Sequence, residues 1–173
     1  MGKFLFAFVL FTVVPPVNAQ QPDVFDVARK GTLPEIAALY KEHPDAIDSV
    51  NDKKASPLIL AAYLGNTEVG LFLADKVKDI DYNCGYGTAV MAAVMSGNIA
   101  ILEKLVSLKA NLNLSDSHGE TALLYAVLFN KNDVAKLLIK AGADISLKDD
   151  RGKTALDIAN FNKNTELIIL LDQ

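Results

Sequence analysis

The sequence predicts an all-α solenoid, a stack of helix-turn-helix units joined by β-turn loops. Two observations carry this. First, one motif returns at a fixed period: Thr121-Ala122-Leu123 recurs as Thr154-Ala155-Leu156 33 residues later and as Thr88-Ala89-Val90 33 residues earlier, with Ser56-Pro57-Leu58 32 residues before that. Self-similarity of this length is the signature of a stacked array. Second, each period holds two short apolar segments at helical spacing, as in Leu123, Ala126 and Val127 and then Val134, Leu137 and Leu138. Neither segment can bury its face alone, so neighbouring copies must supply one continuous core.

Each element of the unit follows from the register. Five positions after the Thr or Ser comes a small residue, Ala61, Ala93, Ala126 or Ala159, where two packed helices leave no room for more. Nine positions after it the apolar run breaks, at Gly65, Gly97, Asn130 and Lys163. Gly takes a left-handed backbone without steric cost and Asn tolerates it, so this is the turn between the two helices, with Lys163 the poorest fit. A further marker, Ile47, Ile80, Leu112 and Ile145, repeats at steps of 33, 32 and 33 and places a degenerate first copy near residues 22–48. That copy starts after Pro22-Asp23, a helix start, and lacks the loop motif, as an N-terminal cap would. The last copy, dense in Asn160, Asn162, Lys163, Asn164 and Glu166, reads as the C-terminal cap. The expected units are residues 22–50, 51–82, 83–115, 116–148 and 149–173, about five in all within a single domain over 20–173.

Residues 1–19 read as a secretion signal, with Lys3 as the positive start, FLFAFVLFTVV at 4–14 as the apolar core, Pro15-Pro16 as the break and Val17-Asn18-Ala19 as the cleavage site. An apolar run this short falls below the roughly 20 residues of a membrane span. The expected location is therefore secreted or periplasmic. The chain carries a net charge of −4 without any run of Lys or Arg, which argues against nucleic acid and anionic membranes as partners. Cys84 is the single cysteine, so no intrachain disulfide can form and stability must come from packing.

The repeated copies resemble ankyrin repeats, whose period is about 33 with a Thr-Pro-Leu-His-x-Ala signature. The matching residues are Ser56-Pro57-Leu58 with Ala61-Ala62, Thr88-Ala89-Val90 with Ala92-Ala93, Thr121-Ala122-Leu123 with Ala126, and Thr154-Ala155-Leu156 with Ala159. The closing Gly-Ala-Asp is present as Gly142-Ala143-Asp144, and the loop opening as Asp116-Ser117-His118-Gly119 and Asp149-Asp150-Arg151-Gly152. The resemblance covers about residues 22–172. The family's His is replaced by Ile59, Met91, Leu124 and Asp157, so each junction is expected to lose polar order and lean on apolar packing. The third opening, Asn83-Cys84-Gly85-Tyr86-Gly87, also departs from the pattern.

Catalytic constellations are missing from the sequence: it has no phosphate loop, no Gly-x-Ser-x-Gly, no His-Glu-x-x-His and no Cys-x-x-Cys. His43, after the second helix of the first copy, and His118, at the loop tip between the third and fourth, would have to span two repeats to share a site and read as solvated, and Asp149-Asp150 and Asp79/Asp81 read as solvated loop charge without calcium-loop spacing. No enzyme activity, cofactor or metal is expected. The resemblance implies a concave groove lined by the two residues before each turn, and a row of loop tips beside it. In register these are Arg29-Lys30, Tyr63-Leu64, Met95-Ser96, Leu128-Phe129 and Phe161-Asn162, with Lys53, Tyr86, His118 and Arg151 at the tips. The expected partner-binding residues are Tyr63, Leu64, Met95, Leu128, Phe129, Phe161, Tyr86, His118, Arg151 and Lys53. An apolar stripe with a polar rim marks an interaction surface.

The expected function is thus a non-enzymatic, monomeric protein-protein interaction module exported from the cytoplasm. Small exported bacterial ankyrin proteins are similar in size and layout, and some are linked to haem catalases and oxidative-stress defence, so the resemblance implies such a partner. Three alternatives stand beside it. One is an inhibitor or immunity protein whose acidity suits a basic target. Another is a haem or small-ligand carrier using His118, Tyr86 or Cys84. The third is a homo-oligomer that buries the stripe against itself.

Overall fold

The computed structural model describes residues 23–172; the secretion signal read at 1–19 lies outside the described residues. Those residues form an all-helical solenoid. The helices are α1 (Val24–Lys30), α2 (Leu33–Glu42), α3 (Pro57–Leu64), α4 (Thr67–Ala74), α5 (Ala89–Ser96), α6 (Ile99–Ser107), α7 (Ala122–Leu128), α8 (Asn132–Lys140), α9 (Ala155–Phe161) and α10 (Thr165–Leu171), with a 3-10 turn at Pro44–Asp48. Odd-numbered helices stack on one another, α1 on α3, α3 on α5, α5 on α7 and α7 on α9, and each packs against its own even-numbered partner.

The Thr/Ser motif works as a helix start. The hydroxyls of Ser56, Thr88, Thr121 and Thr154 accept the backbone N–H of Ile59, Met91, Leu124 and Asp157, the positions of the family's His. Such a cap is worth about 1 kcal/mol. Two residues further on, Ala61, Ala93, Ala126 and Ala159 are all but inaccessible, which explains why the position stays small. The turns close as expected, with Gly65, Gly97, Asn130 and Lys163 all at positive φ. Lys163 holds this conformation at φ 55 although a side chain there costs about 1–2 kcal/mol.

The core runs unbroken from Val24 to Leu171. Its largest fully buried members include Leu73, Ile101, Leu102, Leu105, Leu138 and Leu167 from the even-numbered helices and Leu123 and Leu124 from α7. Gly70 in α4 faces Ile101 of α6 so closely that a side-chain carbon there would collide with it.

Polar order is not lost with the missing His; it sits elsewhere. On the turn side, the Asn66 amide donates toward the carbonyls of Val27, Ala28 and Gly31 at 3.4, 3.3 and 2.9 Å, which ties the second repeat to the first. Asn98 donates to Thr67 Oγ1, Asn162 to the carbonyls of Val127 and Leu128, and Asn164 to the side chains of Asn130 and Asn132. Below the even-numbered helices a second ladder links repeats: Asp48 accepts the N–H of Lys78, Asp81 that of Asn111, and Asn113 that of Asp144. Asp81, half-buried, is therefore a structural acceptor as well as the loop charge read from sequence. Replacing Asn66 with Ala leaves three carbonyls of the first repeat without this donor, so a loss of about 1–3 kcal/mol is expected. Hydrogen exchange should place that loss in residues 24–42 first, since among the described residues the first repeat has a neighbour on one side only.

Candidate functional site

The loops entering the odd-numbered helices project as fingers, and their shape is set by one repeated device. Asn51, Asp116 and Asp149 each fold a side-chain oxygen over their own loop, accepting the N–H groups two and four residues ahead. Asn83 occupies the same place but accepts from Gly85 alone. Gly85 and Gly87 both take positive φ there, at 89 and 123, so this finger bends differently and lifts Tyr86 into solvent at 75% exposure. Neighbouring fingers are linked by main-chain bonds, Ser117 N–H to the Gly85 carbonyl at 2.9 Å and Asp150 N–H to the His118 carbonyl at 3.0 Å.

Between the fingers and the odd-numbered helices lies a concavity of about 750 Å³. The fingers contribute Lys53, Cys84, Tyr86 and His118; α3 and α5 contribute Ile59, Tyr63, Ala92 and Met95; and Tyr125 comes from α7. A second depression, of about 370 Å³, lies nearer the turns and is lined by Tyr63, Met95, Ser96, Phe129 and Lys131. Six of the residues expected from sequence therefore converge on one continuous face through the shared Tyr63 and Met95: Lys53, Tyr63, Tyr86, Met95, His118 and Phe129. The other four lie outside both depressions. Leu64 and Leu128 are about half and one-third exposed beside them, and Phe161, 87% exposed, stands at the far end of the stack on the last odd-numbered helix.

Arg151 is engaged elsewhere. Its guanidinium grips Asp149 at 2.6 Å and Glu120 at 3.0 Å, bridging the last two fingers. Asp149, read from sequence as solvated charge, is instead buried. Burial works against its charge, yet the Lys153 N–H and then the Arg151 side chain outweigh that and hold its carboxyl below the usual carboxylate range.

Sequence reasoning missed Tyr125, one helical turn before Phe129. The two rings stack at 6.0 Å with 6° between their planes, and the Tyr125 hydroxyl donates to Asp116 Oδ2 at 2.6 Å. Burial first, and then the hydrogen bond to Asp116, push the phenol far above its usual range, so it stays a neutral donor. The pair at i and i+4 carried the available sequence signal. Through it Asp116, whose side chain is 2% exposed, anchors both the finger and the aromatic platform.

Glu120, behind the same finger, is buried and one of its oxygens, Oε2, has no hydrogen-bond partner. Burial, followed by the nearby Asp149 charge, raises its carboxyl above the usual 4.5. Folding therefore favours the protonated form: the contribution to stability is complete below pH 4.5 and is lost as pH rises through the raised folded value. In urea unfolding across that window, the stability of the natural protein relative to Glu120→Gln should fall as pH rises, the comparison cancelling the other carboxylates.

A family model described as ankyrin repeats (3 copies) matches residues 24–116 and 90–172. The chain belongs to the ankyrin-repeat family. Among curated proteins, it is 32% identical over 117 residues to ankyrin repeat and SAM domain-containing protein 6 of Mus musculus, an overlap of 65% of this chain and 13% of that protein. The rat protein of the same name matches at 31% over 117 residues. Inactive serine/threonine-protein kinase TEX14 of Mus musculus is 31% identical over 103 residues, which cover 59% of this chain and 7% of the kinase-named protein. The chain thus spans a small fraction of the length of the curated relatives it matches. Ankyrin repeats as a family bind protein partners. Among the described residues, no helix is long and apolar enough to cross a membrane, and no group of three or more His, Cys, Asp or Glu could hold a metal ion.

Proposed function

We propose that this ankyrin-repeat protein is an exported, monomeric interaction module that holds a protein partner on its concave face. The observation that carries the reading is the convergence of Tyr63, Met95 and Phe129 on one depression, with Tyr63 and Phe129 about half exposed in water. Aromatic and Met side chains on a rigid, polar-rimmed surface are the usual anchors of protein interfaces. The stacked odd-numbered helices and the main-chain bonds between fingers hold the face in shape, which lowers the ordering cost of binding. Export rests on the sequence of residues 1–19, read as a secretion signal. A stress-defence enzyme such as a catalase is the partner that the family resemblance implies.

The test is a pull-down from cells of the source organism with three forms of the tagged protein: natural, Tyr63→Ser/Phe129→Ser, and Lys140→Ser on the opposite side. A partner kept by the first and third forms and lost by the second supports the reading. Retention by all three would reject it.

A second reading is favoured by one observation: Cys84, Tyr86 and His118, the three candidate ligand-holding residues, all line the concavity of about 750 Å³. That volume falls within the range of small-molecule sites. Adding haem to the purified protein separates the two. A carrier gives a visible absorption band that disappears in His118→Ala or Tyr86→Phe, whereas an interaction module gives none.

A further inference from the structure

The net charge of −4 does not describe the groove, because the solenoid separates its charges. On the even-numbered helices and the loops that follow them, acidic residues outnumber basic ones, with Glu68, Asp75, Glu103, Asp133, Asp144 and Glu166 all exposed. The fingers, odd-numbered helices and turns have the reverse balance of accessible charge. Three of the carboxylates there are withdrawn from solvent, Asp116, Glu120 and Asp149, with side chains 2%, 10% and 1% exposed. Basic groups remain on the surface, among them Lys30, Lys53, Lys54, Lys153 and Lys163.

The balance is sharpest around the apolar strip itself. Lys53 stands on its finger side, in the wall that also holds Tyr63 and Met95. Lys131 stands on its turn side, in the wall with Tyr63, Met95 and Phe129, and its ammonium lies across the Gly97 turn of the preceding repeat. Among the described residues neither lysine has an ion-pair partner, whereas Lys78, Lys104 and Lys136 on the other side of the molecule are paired with Asp45, Asp75 and Glu166. Of the carboxylates lining the concavity, Asp116 is held by Tyr125, and the exposed Asp52 is flanked in its own shallow depression by Lys53 and Lys54. The apolar strip thus runs between two lysines outside any ion pair, Lys53 beside the exposed Asp52 and Lys131 in a wall that holds no carboxylate.

We propose that the groove takes an acidic segment of the partner protein, whose apolar side chains seat among Tyr63, Met95 and Phe129 while its carboxylates reach Lys53 on one side and Lys131 on the other. This rests on the concave-face reading above and specifies the chemistry of what binds there. A basic segment would meet two like charges set against the single exposed carboxylate of Asp52 on the finger side, and like-charge contacts across an interface oppose association. The acidic outer side repels the same segment, which directs it to the groove and leaves the overall acidity of the chain compatible with an acidic ligand.

The experiment is a photocrosslink from position 129 in cells of the source organism, with the attached partner segment identified by peptide mapping. It is run in parallel in the natural background and in Lys53→Glu/Lys131→Glu, at one exposed and one half-buried position, with the fold of the variant checked by circular dichroism. The expected result is an adduct whose mapped segment is rich in Asp and Glu around apolar residues, and a yield that falls about tenfold in the charge-reversed variant, since reversed rim charges act on association. A mapped segment that is neutral or basic, or a yield unchanged by charge reversal, overturns the inference and leaves the concave-face reading standing. No adduct from 129 while the folded protein is abundant removes that reading as well, and the inference with it.

Discussion

Replacing Leu105 with Ala should lower the free energy of unfolding by about 2–5 kcal/mol, the range for emptying a fully enclosed aliphatic site. Leu105 is 0% exposed in α6, packed in the middle of the stack where its helix meets both α4 and α5. A solenoid's stability is approximately a sum of repeat terms and nearest-neighbour terms, so weakening the central repeat loosens the junctions on both of its sides. The same truncation at Leu171, 4% exposed in the last helix, removes a similar side chain with one neighbouring repeat at stake. Urea unfolding followed by circular dichroism should therefore move as one transition for Leu105→Ala. Leu171→Ala should instead show early hydrogen exchange confined to residues 155–171 ahead of a little-changed main transition. Equal, global losses from both variants would contradict the nearest-neighbour account.

Phe129→Ser should weaken partner binding by about 2 kcal/mol, roughly thirtyfold in Kd, the size expected of an aromatic anchor at an interface centre. Its cost to folding should be smaller. The ring is 48% exposed and its main intramolecular contact is the stack on Tyr125. Such a pair is worth about 0.5–1.5 kcal/mol. Titration calorimetry with the partner, set beside urea unfolding of the two free proteins, separates the effects. If Kd changes no more than the stability of the fold, Phe129 is a packing residue and not an anchor.

The repeat architecture was legible because its causes are local and recur. Thr88, Thr121 and Thr154 mark helix starts, Ala93, Ala126 and Ala159 mark close packing, and Gly97, Asn130 and Lys163 mark left-handed turns, each at a fixed offset. What escaped sequence reasoning was the pairing between repeats. Asn66 bonds to residues 35 to 39 positions away, so nothing beside it in sequence names its partners. Asp149 looks like ordinary loop charge until its side chain is seen closing over the N–H groups of Arg151 and Lys153. The recurrence of Asn51, Asp116 and Asp149 in register was the available clue, since a carboxamide or carboxylate kept at one loop position is placed to accept from its own turn.

On the candidate site the limits were of the same kind. Counting back from the turns picked out Tyr63, Met95 and Phe129, which face one depression. The same count also picked out Phe161, which lies on the last odd-numbered helix of the described residues and lines neither depression. Arg151 sat at the correct loop tip, but its use depends on Glu120, 31 residues earlier, whose burial only the fold reveals. Lys131 escaped notice because it follows the turn, and its side chain reaches back toward the preceding repeat.

A partner seated on the concave face of the middle repeats would cover the finger amides and leave the even-numbered helices open. Hydrogen exchange of the protein alone and with its partner bound tests this most directly, read at the finger amides and at the even-numbered helices together. Exchange should slow in the fingers at 51–55, 84–87 and 116–120 and near the turn at 129–131, with α6 and α8 unchanged. Slowing confined to α6 and α8, with the fingers exchanging as in the free protein, would place the partner on the opposite side and contradict it.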